Sequence, residues 1–136
     1  MTSDGRPRAV LVRAAAPAPT PADCLVLSPN LVSTFDGDRW RHPIALTGAD
    51  RRYRFDQTEL ERANRVLARE ARRTAPAAIW LRERRWLLSS WSPDAVERLE
   101  RSCRRAATEA GVAFVAWTGR GGDDGSTDAY DRVVSR

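Results

Sequence analysis

IWLRERRWLLSSW, Ile79 to Trp91, holds three of the chain's five tryptophans around an Arg-Glu-Arg-Arg centre. As one long strand it would set charges in mid-strand on both faces, which is costly wherever a face is buried. A hairpin turning near Glu83–Arg85 puts Arg82, Glu83, Arg84 and Arg85 at an exposed tip, with Ile79–Leu81 and Trp86–Leu88 as arms. A helix opened by Pro76 is the rival, since Ala, Leu, Arg and Glu dominate here. Ile, Trp and the alternation of residue types favour the hairpin.

Helical signals flank this stretch on both sides. Upstream, Asp56 and Glu59 have the spacing of a capping box, with Asp in place of Ser or Thr. Leu60, Ala63, Leu67 and Ala71 then recur at helical spacing, and Pro76 marks the end. Downstream, Ser92 is a cap, Pro93 takes the first helical position and Asp94 lies in the first turn. The stripe Ala95, Leu99, Cys103, Ala106, Ala110 runs to a stop at Gly111. Val112–Trp117 is an apolar run suited to a central strand buried on both sides.

Further upstream the strand signals are short. Cys24–Leu27 is closed by Ser28-Pro29-Asn30, and Leu31–Phe35 resumes the apolar pattern. Asp36-Gly37-Asp38 reads as a hairpin turn. Trp40–Leu46 is its partner strand, placed at an edge by Pro43. Arg51–Phe55 forms another strand after the turn at Thr47–Asp50. The sum is an α+β domain with an antiparallel or mixed sheet and two main helices packed on one face, in the order β-β-β-α-ββ-α-β. The single domain is expected over residues 23–118. Residues 1–22, rich in Pro and Ala, and 119–136, rich in Gly and Asp, read as flexible, disordered tails, with a short strand possible at Ala9–Val12.

At 136 residues the chain has the length of one domain with a modest core. No apolar run reaches the roughly 20 residues that span a bilayer, so no membrane partner is expected and the cytoplasm is the default location. Cys24 and Cys103 are too far apart in sequence to suggest a disulfide framework and read as small buried hydrophobes.

All 23 basic residues are arginine. A GC-rich coding sequence, as in some bacteria and their phages, is the plain cause. The chemical consequence holds regardless: Schiff-base chemistry and a phosphate-loop lysine are excluded. Arginine favours two-pronged contacts to phosphate or carboxylate and stacking on flat rings. Residues 51–105 carry 15 Arg against 8 acids, a local balance of +7 within a net charge of +5. The middle of the chain therefore points to an acidic or polyanionic partner.

The first helix sharpens this. Arg62, Arg65, Arg69, Arg72 and Arg73 lie opposite its apolar stripe. Glu61 can pair with Arg65 and Glu70 with Arg73, which leaves too few acids for the face. The second helix reads as self-neutralised, with Asp94–Arg98, Glu97–Arg101 and Glu100–Arg104 in the favourable order. Arg51, Arg52 and Arg54 alternate with Tyr53 and Phe55 just before the first helix. That pattern suits backbone contacts with a ring for a base, or equally aromatics turned to the core and arginines to water. With Arg84 and Arg85 at the hairpin tip, these arginines form the candidate binding set.

The expectation is a small accessory or regulatory protein, without cofactor or metal, that binds a polyanion, most readily nucleic acid, through phosphates. The alternative is a protein-interaction module that meets an acidic partner through Trp and Arg. An enzyme reading rests on His42, the single histidine, paired with Cys24 or Cys103, and no nucleophile motif surrounds either cysteine. One His and two distant Cys do not make a tetrahedral zinc site. Gly119-Arg120-Gly121-Gly122 has no following lysine and is no phosphate loop. The residues fix no oligomeric state.

Overall fold

The computed structural model describes residues 9–14, 23–29, 44–48, 51–118, 127 and 129–135. Seven strands and three helices are present among them: β1 Ala9–Arg13, β2 Leu25–Pro29, β3 Ile44–Gly48, β4 Arg51–Phe55, α1 Leu60–Thr74, β5 Ala78–Leu81, α2 Arg84–Ser90, α3 Pro93–Ala110, β6 Ala113–Thr118 and β7 Arg132–Ser135. The strands form one mixed sheet in the order β4-β3-β2-β5-β6-β1-β7. β2, β5, β6, β1 and β7 run parallel, and β3 and β4 are added antiparallel at one edge. The α+β class and the mixed sheet agree with the sequence reading. β1 and β7 lie in the two stretches read as tails, and each pairs in the sheet.

Alternation along the strands divides the sheet into two faces. Leu11, Leu25, Leu27, Ile44, Leu46, Ile79, Leu81, Phe114 and Ala116 are fully buried in one core with Leu67, Val96, Leu99 and Cys103 of the helices. On the opposite face Val10, Val12, Val26, Trp80 and Val115 are half-buried. Burial of this order makes truncation costly: Leu99→Ala would destabilise by about 2–5 kcal/mol.

The helix ends follow their residues. Ser92 Oγ accepts from the Ala95 N–H at 3.2 Å, and Pro93 sits where its missing N–H costs nothing. Gly111 ends α3 in the left-handed conformation, φ 73°. α1 starts later than Asp56. Glu59 reaches back to the Asp56 N–H at 3.0 Å while Asp56 accepts from Thr58, so the expected box closes a turn and the helix opens at Leu60. α1 stops at Ala75, left-handed at φ 45°, before Pro76.

The stretch 79–91 is neither a hairpin nor one helix. Its first part is β5, parallel to β2 and β6, and its second is α2. Arg82 and Glu83 connect them, and Glu83 takes the left-handed conformation, φ 58°. Parallel neighbours explain this, because β5 is paired on both sides by strands distant in sequence and needs no adjacent hairpin arm. The expected strand Leu31–Phe35, the turn Asp36–Asp38, and the residues Trp40, His42 and Pro43 lie outside the described residues. No described helix is long and apolar enough to cross a membrane.

Candidate functional site

α1 buries Leu60, Ala63, Val66, Leu67 and Ala71 against the sheet and α3. With 3.6 residues per turn, that stripe forces Arg62, Arg65, Arg69 and Arg72 outward in one row, and all four are exposed. β4 runs beside the row. An open groove of about 630 Å³ lies here, lined by Tyr53, Arg62, Asn64, Arg65, Val66, Ala68, Arg69 and Arg72. No carboxylate is among these lining residues.

Glu70 organises one end of the row. Its residue is 1% exposed, and Arg73 grips it with Nη2 at 2.7 Å and Nε at 3.0 Å from Oε1. The Tyr53 hydroxyl donates to Oε2 at 3.3 Å, with Arg51 Nη1 at 3.8 Å and Arg69 Nε at 3.7 Å. The hydrogen bonds from Arg73 hold the Glu70 carboxyl below its ordinary range, against the opposing effect of burial. One carboxylate thus faces three guanidinium groups and leaves the cluster positive.

Two arginines are fixed over rings. The Arg69 guanidinium carbon is 5.8 Å from the Tyr53 ring centroid, and Arg69 Nη2 donates to the Tyr53 oxygen at 3.3 Å. That of Arg62 is 5.1 Å from the Phe55 centroid, while Nη1 donates to the Arg54 carbonyl at 3.1 Å and meets Glu59 at 3.4 Å. Arg65 and Arg72 have no ion-pair partner among the described residues. Tyr53 and Phe55 therefore face the helices. Arg52 and Arg54 alternate onto the other side of β4, exposed and away from the groove.

Arg84 departs from its expected place. It is fully buried in α2 and donates from Nε to Glu100 Oε2 at 2.6 Å. Tyr130 donates to the same oxygen, and its ring lies 5.4 Å from the Arg84 guanidinium carbon. Burial, with Glu100 beside it, pushes the Tyr130 phenol well above its ordinary value. Arg84 thus belongs to the core, because the turn at Glu83 points it inward at an acid on α3. Arg85, its neighbour, is exposed on α2 and apart from the groove.

α3 does not neutralise itself as expected. Of its three anticipated pairs, only Glu97–Arg101 is formed among the described residues, at 3.8 Å. Glu100 is taken by Arg84, and Arg104 instead meets Asp131 at 2.8 Å and the Ala129 carbonyl at 2.9 Å. Arg98 and Arg105 are exposed, with no ion-pair partner among the described residues. They line, with Arg101, a depression of about 320 Å³ between α1 and α3, whose other walls are Leu60, Glu61, Asn64 and Ser102. A further hollow of about 390 Å³ is shared by Arg62, Arg65 and Arg98 with Glu59 and Glu61. Asn64 borders both the groove and the depression, so the two arginine surfaces are contiguous.

Sequence reading therefore missed Arg98, Arg101 and Arg105. The available signal was Arg105, which has Arg101 and Ser102, and no acid, four and three residues before it.

Nucleophile candidates are poorly placed for chemistry. Burial pushes the Cys103 thiol far up, and burial with Asp23 raises Cys24. Among the described residues no group of three His, Cys, Asp or Glu side chains is arranged to hold a metal ion. The chain matches no protein-family model and no curated protein.

Proposed function

We propose that the α1 groove binds a polyanion, most favourably nucleic acid, through phosphate contacts from Arg65, Arg69 and Arg72, with Arg62 at the margin. The observation that carries this reading is a groove with four arginines and no acid in its lining. Arg51, Arg69 and Arg73 around Glu70 add positive charge at its end. Guanidinium groups are weakly hydrated forks that match phosphate oxygens, and each phosphate contact releases counterions. Binding of this type is steeply salt-dependent and weakly sequence-specific. On the same reading the protein is a non-catalytic accessory factor of the cytoplasm.

The Trp-anchored interaction module has less support. Trp91 and Trp117 are buried, Trp80 and Trp86 are half-buried, and among the described residues the exposed large hydrophobic is Val133. A hot-spot surface needs its aromatic anchors outside.

A titration of labelled DNA and RNA oligonucleotides at low salt, read by fluorescence anisotropy, tests the proposal. Arg65→Glu with Arg72→Glu should weaken binding at least tenfold and flatten the dependence of log affinity on log salt. No binding by the natural chain, or binding untouched by the double substitution, would remove the proposal.

A further inference from the structure

We infer that the nucleic acid taken by this face is a duplex, held by two arginine rows on neighbouring helices that contact its two strands. The inference rests on the phosphate-binding reading and commits it to one class of ligand.

The first observation concerns the rings. Single strands are commonly held by stacking bases on exposed aromatic faces. The aromatics beside this groove are already covered: Arg62 lies over the buried Phe55, and Arg69 over Tyr53, whose hydroxyl is bonded to Glu70. Tyr53, the aromatic that lines the groove, is half-buried and carries Arg69 over its ring. What the surface offers is chiefly guanidinium groups, and those read a backbone.

The second observation is the α3 row. Arg98, Arg101 and Arg105 are spaced by three and four residues, so they project on one side of α3, toward the depression shared with α1. Packed helices lie about 8–10 Å apart, so the two rows stand on the order of 10 Å apart. The α1 row, Arg62 to Arg72, extends about 15 Å at about 1.5 Å per residue. Grooves of duplex DNA are about 6 and 12 Å wide. Rows with that separation can each follow one strand across a groove, which a lone flexible strand has no means to match. The acids on this surface are fewer than its arginines. Glu59 faces Arg62 and Glu97 faces Arg101, while Glu61 lies in the depression. Asp94 and Glu109 stand four residues before Arg98 and four after Arg105, exposed on the same side of α3. Seven arginines against five acids still leave the face positive and attractive to two lines of phosphates.

The test compares duplex DNA, duplex RNA and single strands of equal length, together with polyglutamate, across a range of salt. Three double variants are used: Arg65→Ala with Arg72→Ala on α1, Arg98→Ala with Arg105→Ala on α3, and Arg52→Ala with Arg54→Ala on the far side of the sheet. All six side chains are exposed, and circular dichroism checks folding. Duplex should bind at least tenfold more tightly than single strands or polyglutamate. The α1 and α3 variants should each lower the salt slope for duplex DNA by about 0.9 per arginine removed. The far-side variant should lower it by less.

Equal or tighter binding to single strands overturns the duplex inference and leaves the phosphate-binding reading intact. A slope lost only in the α1 variant overturns the two-row grip. Equal losses in all three variants mean that net charge acts without geometry, and equal binding to polyglutamate means that any polyacid suffices; either result overturns the inference. No binding to any nucleic acid removes both readings.

Discussion

Glu70 and Glu100 are built from the same parts and serve opposite ends. Each is a carboxylate on the inner side of a helix, 1% exposed, holding a tyrosine hydroxyl and an arginine. At Glu100 the arginine is Arg84, with its side chain 1% exposed, and the charges close on each other inside the core. At Glu70 the contacting arginines Arg51, Arg69 and Arg73 have side chains 50%, 56% and 32% exposed. The first cluster fastens α2, α3 and the segment before β7. The second holds a positive surface in position while leaving it open to water. What separates a structural arginine from an available one here is how much of its guanidinium the fold covers.

The sharpest way to break this comparison is to remove each acid in turn. Glu100→Ala strands the buried Arg84 charge and is expected to cost about 3–5 kcal/mol in denaturant unfolding. Arg84→Met combined with Glu100→Leu should recover most of that loss, because no charge is then left unpaired. Glu70→Ala should cost less, about 1–2 kcal/mol, since its arginines can turn to solvent. It should also tighten polyanion binding, as the face loses its buried negative charge. Similar losses at both acids would remove the distinction.

Acid titration sharpens the same contrast. The Glu70 pKa is lowered in the folded state, so its contribution is present above the unfolded value of about 4.3 and is lost as pH falls through the lower folded value. The stability gap between the natural chain and Glu70→Gln should therefore be full at pH 6 and shrink below about pH 4, as followed by urea unfolding at each pH. A gap that stays constant with pH would mean that Glu70 acts by shape and not by charge.

Smaller effects calibrate the background. Ser92→Ala removes the cap on α3 and should cost about 1 kcal/mol, seen in the thermal midpoint. Arg65→Ala and Arg72→Ala should each change stability by less than about 0.5 kcal/mol while weakening polyanion binding, which separates availability from structure.

Part of this architecture was legible in the residues. α3 announced its cap, its first-position proline, its stripe and its terminal glycine, and β6 announced itself as an apolar interior strand, though Ala113 and Val115 on its other face are only half-buried. β4 and the arginine row of α1 followed from period two and period 3.6. The hairpin expected over 79–91 was wrong for two reasons. A seven-residue helix is too short for its period to emerge, and no sequence preference marks Glu83 for a left-handed turn. The parallel pairing of β1 and β7 was hidden, because such neighbours are separated by most of the chain. On the candidate site, the α1 row was visible because periodicity alone displays it. The surplus on α3 was not, since local pairing rules assign Asp94 to Arg98, a contact that is not formed among the described residues, and the reading of α3 did not reach Arg105. Glu100 was committed to the core, and Arg104 found its acid 27 residues away in Asp131.

The place of β1 has a consequence for the order of assembly. It lies between β6 and β7, and its first residue bonds with Asp131, 122 residues further on. Of the seven strands it leaves the ribosome first, yet both its partners are among the last to emerge. The edge hairpin β3–β4 and the α1–β5 unit can form during synthesis, but the sheet cannot be completed until translation of the β6 and β7 segments is done. High contact order of this kind slows folding and leaves an apolar strand waiting in the meantime. Refolding from denaturant should therefore be slow for a domain of this size, with the β1–β6–β7 end closing last.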